Sequence, residues 1–144
     1  MSDTRDVTLF LSRYYSTFST LDVESITPFF HEPCLFVSPQ GVDTAPTHEK
    51  VKVVFTMIAE SLRSRGYDRS ELANLEVQRM SDTTTLASGV AVRYKGDGHE
   101  LERVGVTYIL QKSDNGWRIA VTVIHDAESV NMQRSSMNET DECE

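Results

Sequence analysis

Apolar residues recur at helical spacing early in the chain and at every second position later. Val7, Phe10, Leu11, Tyr14, Tyr15 and Phe18 fall on one helical face, which predicts an α-helix over about 4–19. A shorter helical stretch runs from 22 to about 30, with Asp22 as N-cap. Pro28 has no N–H for an inner turn, so it must interrupt this stretch or begin a new turn capped by Thr27. Cys34-Leu35-Phe36-Val37, between Pro33 and Pro39, predicts a short strand, and 40–46 a loop. Thr47 caps a third helix with the face Val51, Val54, Phe55, Ile58 and Leu62, and Gly66 ends it.

From Leu72 the period becomes two. Strands are predicted around 72–80 and at 84–95, 99–112 and 117–125, with Asp97-Gly98 and Asn115-Gly116 as hairpin turns. A two-residue turn at Asp97-Gly98 sets Lys95 opposite Glu100, Arg93 opposite Glu102, Tyr94 opposite Leu101 and Leu86 opposite Ile109. The two opposite-charge pairs support that register at roughly 0.2–1 kcal/mol each. A two-residue turn at Asn115-Gly116 sets Tyr108 opposite Val123 and Val106 opposite His125. One face then carries Ala87, Gly89, Ala91, Arg93, Glu102, Val106, Tyr108, Trp117, Val121, Val123 and His125. The other carries Leu86, Val90, Val92, Tyr94, Ile109, Thr122 and Ile124. Both faces are apolar, whereas a sheet with one solvated face shows a polar side. One face is therefore expected to cover the helices and the other to meet a partner, for which a second copy of the chain is the economical choice.

Composition adds boundaries. With 144 residues, 39% of them hydrophobic and 25% charged, the chain is one ordinary globular domain. A net charge of −8 repels phosphate backbones and anionic lipid, so nucleic acid and membrane are not expected partners. The domain is expected over 1–128. The segment 129–144 is polar, aperiodic and acidic, and reads as a disordered tail. No signal-peptide core or membrane-length apolar run occurs, which makes the cytoplasm the expected location. Cys34 and Cys143 form no disulfide framework.

The order of helices, short strand, helix and long antiparallel strands resembles the nuclear transport factor 2-like superfamily over about 5–127. The resemblance rests on Arg13-Tyr14-Tyr15 followed by Leu21-Asp22-Val23-Glu24, on Cys34-Leu35-Phe36-Val37-Ser38-Pro39-Gln40-Gly41, and on Asn115-Gly116-Trp117-Arg118-Ile119. The last piece is similar to the closing strand of SnoaL-like and ketosteroid-isomerase-like members. The resemblance implies an α+β fold in which a cone-shaped, curved antiparallel sheet wraps around three N-terminal helices, with a small-molecule site on the concave face. Tyr14 matches the helix-one Tyr of the isomerases and Tyr108 the position of their sheet Asp. Their proton-abstracting Asp falls on Ser38, which is not a base at neutral pH.

Within that frame His125, Tyr14 and Tyr108 are the candidate catalytic groups. His125 suits a general acid or base oriented by Glu102, or equally a structural His at a strand end. Arg93 and Glu102 would orient a polar ligand, or form a plain cross-strand ion pair. Tyr14 either aims its hydroxyl into the pocket or packs in the core. Phe55, Val106, Trp117 and Val123 are the expected walls. His31, Glu32 and Cys34 lie close together, but no H-E-x-x-H or paired C-x-x-C accompanies them, so neither a metal nor a cofactor is expected. Three functions remain open: a small-molecule-binding module, a cofactor-independent enzyme acting on a hydrophobic carbonyl compound, and a homodimerisation module paired through the convex face.

Overall fold

The computed structural model describes residues 2–127, so the predicted tail lies outside the described residues. Helix α1 (Ser2–Phe18) buries the whole predicted stripe, Val7, Phe10, Leu11, Tyr14, Tyr15 and Phe18. Helix α2 (Val23–Ile26) runs into a 3₁₀ turn (Thr27–Phe29) that contains Pro28. Thr27 does not cap this turn: its hydroxyl donates back to the Val23 carbonyl at 2.8 Å.

Strand β1 (Phe30–Ser38) contains the expected strand, and strand β2 (Gly41–Ala45) pairs with it as a hairpin where a loop was expected. Helix α3 (His48–Ser64) follows and buries Val51, Phe55, Ala59 and Leu62. Thr47 is its N-cap residue but makes no side-chain cap bond; the Glu32 carboxylate accepts the His48 N–H instead, at 2.6 Å. Four long strands complete the domain: β3 (Tyr67–Arg79), β4 (Thr84–Lys95), β5 (Glu100–Ser113) and β6 (Gly116–His125).

The six strands form one sheet in the order β2-β1-β6-β5-β4-β3. It is mixed, not wholly antiparallel, because β1 lies parallel to β6. The chain travels through α3 and four strands before β6 returns beside β1, which is the long connection a parallel pair needs. Pro33 falls within the register shift between Phe30 and Leu35 of that pair, where a missing N–H breaks no regular ladder.

Between β4 and β5 the register agrees with the expected one, including Arg93 opposite Glu102 and Leu86 opposite Ile109. Beside the turn the register shifts by one: Lys95 bonds to His99 across a three-residue turn of Gly96, Asp97 and Gly98, so Tyr94, not Lys95, stands opposite Glu100, and Glu100 accepts from Arg103 instead. Between β5 and β6 the outcome differs. Ser113 pairs with Gly116, so the turn residues are Asp114 and Asn115. Further along, Leu110 pairs with Ile119 but Ile109 pairs with Val121, so Ala120 is an extra residue, a β-bulge. A bulge reverses which residues point to which face. Beyond it Thr122 and Ile124 turn towards the helices, and Val121, Val123 and His125 turn outward, opposite to the sequence expectation.

The inner face carries the core: Ala87, Ala91, Val106, Tyr108, Leu110 and Ile119 pack with α1 and α3. On the outer face Val90 and Val92 are 6% and 5% exposed, packed with Ala73, Tyr94 and Ala127. These two were expected to be open for a partner and are covered within the chain instead. Two glycines permit close approaches. A Cβ on Gly89 would lie 2.8 Å from the Ala73 carbonyl oxygen, where β3 is bulged and Asn74 has φ 56. A Cβ on Gly105 would press into the His125 ring and lie 2.5 Å from the Asp126 carbonyl oxygen.

Candidate functional site

Helices α1 and α3 do not fill the space above the inner face. A cavity of about 590 Å³ remains between them, the sheet and the β1–β2 hairpin. Small residues in the middle of β4 leave this room, Ala91 among the lining residues. The walls are aromatic and aliphatic: Tyr14, Tyr15 and Phe18 from α1, Phe36 from β1, Val54, Phe55 and Ile58 from α3, and Val106 and Ile124 from the sheet. Phe55 is held in place by ring contacts with Phe18, Phe30 and Phe36. At the rim stand Ser38, Gln40, Asp43 and Lys50, with Val53 and Met57 exposed by 53% and 67%.

The polar groups within the cavity are few. The Tyr15 and Tyr108 hydroxyls share a buried hydrogen bond of 2.7 Å. Burial pushes the Tyr15 hydroxyl up to about 12, against the opposing pull of the Tyr108 hydrogen bond and the Arg93 charge. Burial likewise holds Tyr108 and Tyr14 well above the ordinary value of 10.0, with neighbouring tyrosines adding to it and Arg93 opposing. All three are neutral hydrogen-bond donors at physiological pH. Tyr14 packs edge-on against Phe30 and Tyr108.

Arg93 is the buried cation of the cavity, Lys50 standing at its rim. Its guanidinium lies 5.6 Å from the Phe18 ring centroid and pairs with Glu102, the partner expected from the register. Glu102 also accepts from Arg65 at 2.7 Å. Burial alone would raise the Glu102 carboxyl, but the hydrogen bonds from Arg65 and Arg93 outweigh it and hold it below its ordinary value. Two polar atoms of the cavity are buried without a partner among the described residues: Arg93 Nε and Thr122 Oγ1.

Of the expected site residues, Tyr14, Phe55, Arg93, Val106 and Tyr108 line the cavity together, and Glu102 supports Arg93 from behind. Three do not join them. Trp117 lies ahead of the bulge and lines a surface groove with Phe10 and Arg13. Val123 and His125 point outward because of the bulge. His125 Nδ1 donates to the Asp126 carbonyl at 3.0 Å, so its Nε2 accepts from the Thr107 hydroxyl at 2.9 Å, and Thr107 in turn accepts from Ser88 at 3.0 Å. It is a structural His on the outer face, so it cannot act on the cavity contents or be oriented by Glu102. Reasoning from sequence missed Tyr15, Thr122, Ile124 and Phe36 as cavity residues. His31 and Glu32 are engaged with Pro33 and with His48, and Cys34 is a buried free thiol pushed up to about 11, first by burial and then by Glu32.

A family model described as NTF2-like protein (DUF6841) matches residues 5–127, and the chain belongs to that family. No curated protein matches the sequence. Solved structures share the fold at low identity. An NTF2-like protein with a cystatin-like fold from Novosphingobium aromaticivorans superposes with a TM-score of 0.74 at 15% identity, over 93% of this chain and 88% of its own. Aln2 from a Streptomyces species gives 0.74 at 20% identity, over 88% and 92%. A candidate dehydratase of the NTF2-like family from Streptomyces avermitilis gives 0.69 at 15% identity, over 87% and 96%.

Proposed function

We propose that this NTF2-like domain is a binding module for a small, largely apolar molecule, held in the cavity between α1, α3 and the inner sheet face. The observation that carries this reading is the cavity itself. Its 590 Å³ falls within the roughly 300–1,000 Å³ of small-molecule sites, and its apolar walls converge on a few fixed polar groups. A module whose interior served only to hold two copies together would gain by filling that space with side chains. The ligand is expected to come from the cytoplasm. Native mass spectrometry of the protein purified from its own host tests the reading, with a retained non-covalent ligand as the expected result.

A second reading is a cofactor-independent enzyme, and the Tyr15–Tyr108 pair favours it. Of two neutral hydroxyls joined at 2.7 Å, one donates to the other, and the acceptor keeps its own proton to donate to a carbonyl oxygen that gains negative charge during a reaction. The proton acceptor such chemistry needs is the weak point. Ser38 lines the cavity without being a base, His125 faces away, and Asp43 is an exposed carboxylate at the rim. The binding reading is therefore preferred. Incubating Tyr108→Phe and wild type with the retained molecule, and following its consumption, separates the two.

A further inference from the structure

We propose that the cavity's ligand is a carboxylic acid, bound as the anion with its carboxylate on Arg93 and its apolar body along the aromatic wall. This rests on the binding reading and specifies its chemistry.

The argument begins with charge. Arg65, Glu102 and Arg93 are linked by ion pairs, so two cations share one carboxylate and the group carries one net positive charge. Arg65 is on the solvent side of this group, with 41% of its side chain exposed, whereas Arg93 is 19% exposed and lines the cavity. Water can therefore compensate Arg65, while the charge on Arg93 faces an apolar space. A buried cation is costly unless it is fully paired and hydrogen-bonded.

Hydrogen bonding points the same way. Glu102 accepts from one terminal nitrogen of Arg93, while its Nε is buried with no partner among the described residues. A guanidinium is a planar fork matched to carboxylate oxygens, so a buried Nε without a protein partner, on a residue that lines a ligand-sized cavity, is a donor that a small rotation of the guanidinium would turn to a ligand carboxylate. Thr122 supplies a second, independent sign. It is 8% exposed, lines the same cavity and has an unpaired hydroxyl. It stands opposite Tyr108 on the neighbouring strand, so it belongs to the same polar row as the tyrosine pair. That row consists of neutral donors, able to hydrogen-bond to an anion and adding no negative charge against it. Asp43 and Lys50 at the rim carry opposite charges and leave the balance at Arg93 unchanged.

Calorimetric titration of the full chain with naphthoate and with naphthalenemethanol tests the assignment. The two share a ring system and differ in the carboxylate. Wild type should bind naphthoate at least about tenfold tighter than the alcohol, the size expected of a charge-assisted hydrogen-bonded pair. Arg93→Gln should remove that preference, read as the ratio of the two affinities within the variant falling to about one. Arg65 still pairs with Glu102 in this variant, so the fold has a route to survive the loss. Glu102→Gln keeps Arg93 and removes its internal anion, so naphthoate should bind more tightly than to wild type. Equal binding of acid and alcohol by wild type would overturn the carboxylate assignment and leave the cavity reading standing. So would a preference for the acid that persists in Arg93→Gln. If neither compound binds, the cavity reading fails together with the assignment.

Discussion

The Tyr15–Tyr108 hydrogen bond joins α1 to β5 across the domain, in surroundings dry enough to keep both hydroxyls neutral far into alkaline pH. This has a consequence for stability. The folded-state value for Tyr15 is raised, to about 12 from 10.0, so folding favours the protonated form. That contribution is fully present below pH 10 and is lost as pH rises towards about 12, because the unfolded chain ionises first. Denaturant unfolding measured across this window should show stability falling with pH, and falling less steeply in Tyr15→Phe. A second expectation at this scale concerns His125. It bridges Thr107 and the Asp126 carbonyl on the outer face, so His125→Phe should lower stability by roughly 0.5–1.5 kcal/mol and leave ligand affinity in the cavity unchanged. Calorimetry of this variant, giving both its unfolding and its binding, checks the two halves together.

At the scale of elements, the sequence was most legible where the pattern had one solution. The α1 stripe and the α3 face agree with the structure because helical spacing has one solution, and the β4–β5 pairing agrees from Arg93–Glu102 onward although the turn itself is one residue longer than expected. Strand β2 was illegible because Ala45 is its one buried residue, so no alternation marks it as a strand. The bulge at Ala120 was illegible for the opposite reason. Val121 and Val123 suit the inner face as well as Thr122 and Ile124 do, so hydrophobicity does not choose between the registers. That one residue took Val123 and His125 out of the expected site. Tyr14 and Tyr15 were both readable as buried, but which hydroxyl meets Tyr108 depends on helix rotation, which spacing does not specify to that precision. The bulge in β3 makes its own prediction. Gly89 packs beneath the displaced Ala73 carbonyl, so Gly89→Val must push backbone apart and should destabilise the domain by about 1–3 kcal/mol in chemical denaturation.

At the scale of the whole molecule, the outer face remains to be explained. Part of it is closed by Val90, Val92, Tyr94 and Ala127. The rest has a continuous apolar row, since Leu35, Val121, Ile109 and Leu86 are direct neighbours across four adjacent strands. Such a row is unusual on a monomer, and a two-fold pairing of two copies would bury it. We propose a homodimer through this face: light scattering should give twice the 16.2 kDa chain mass for wild type and the single-chain mass for Ile109→Glu. No helix among the described residues is long and apolar enough to cross a membrane.

Cavity and outer face are thus two apolar surfaces with different proposed occupants, and they can be told apart directly. The measurement that does so is a methyl-resolved NMR titration of the full chain with naphthalenemethanol, a neutral probe indifferent to the carboxylate assignment. Saturable shifts should concentrate on Val54, Ile58, Val106 and Ile124, the methyl groups that line the cavity. Shifts confined to Leu35, Leu86, Ile109 and Val121, or no saturable shifts at all, would contradict a binding site in the cavity.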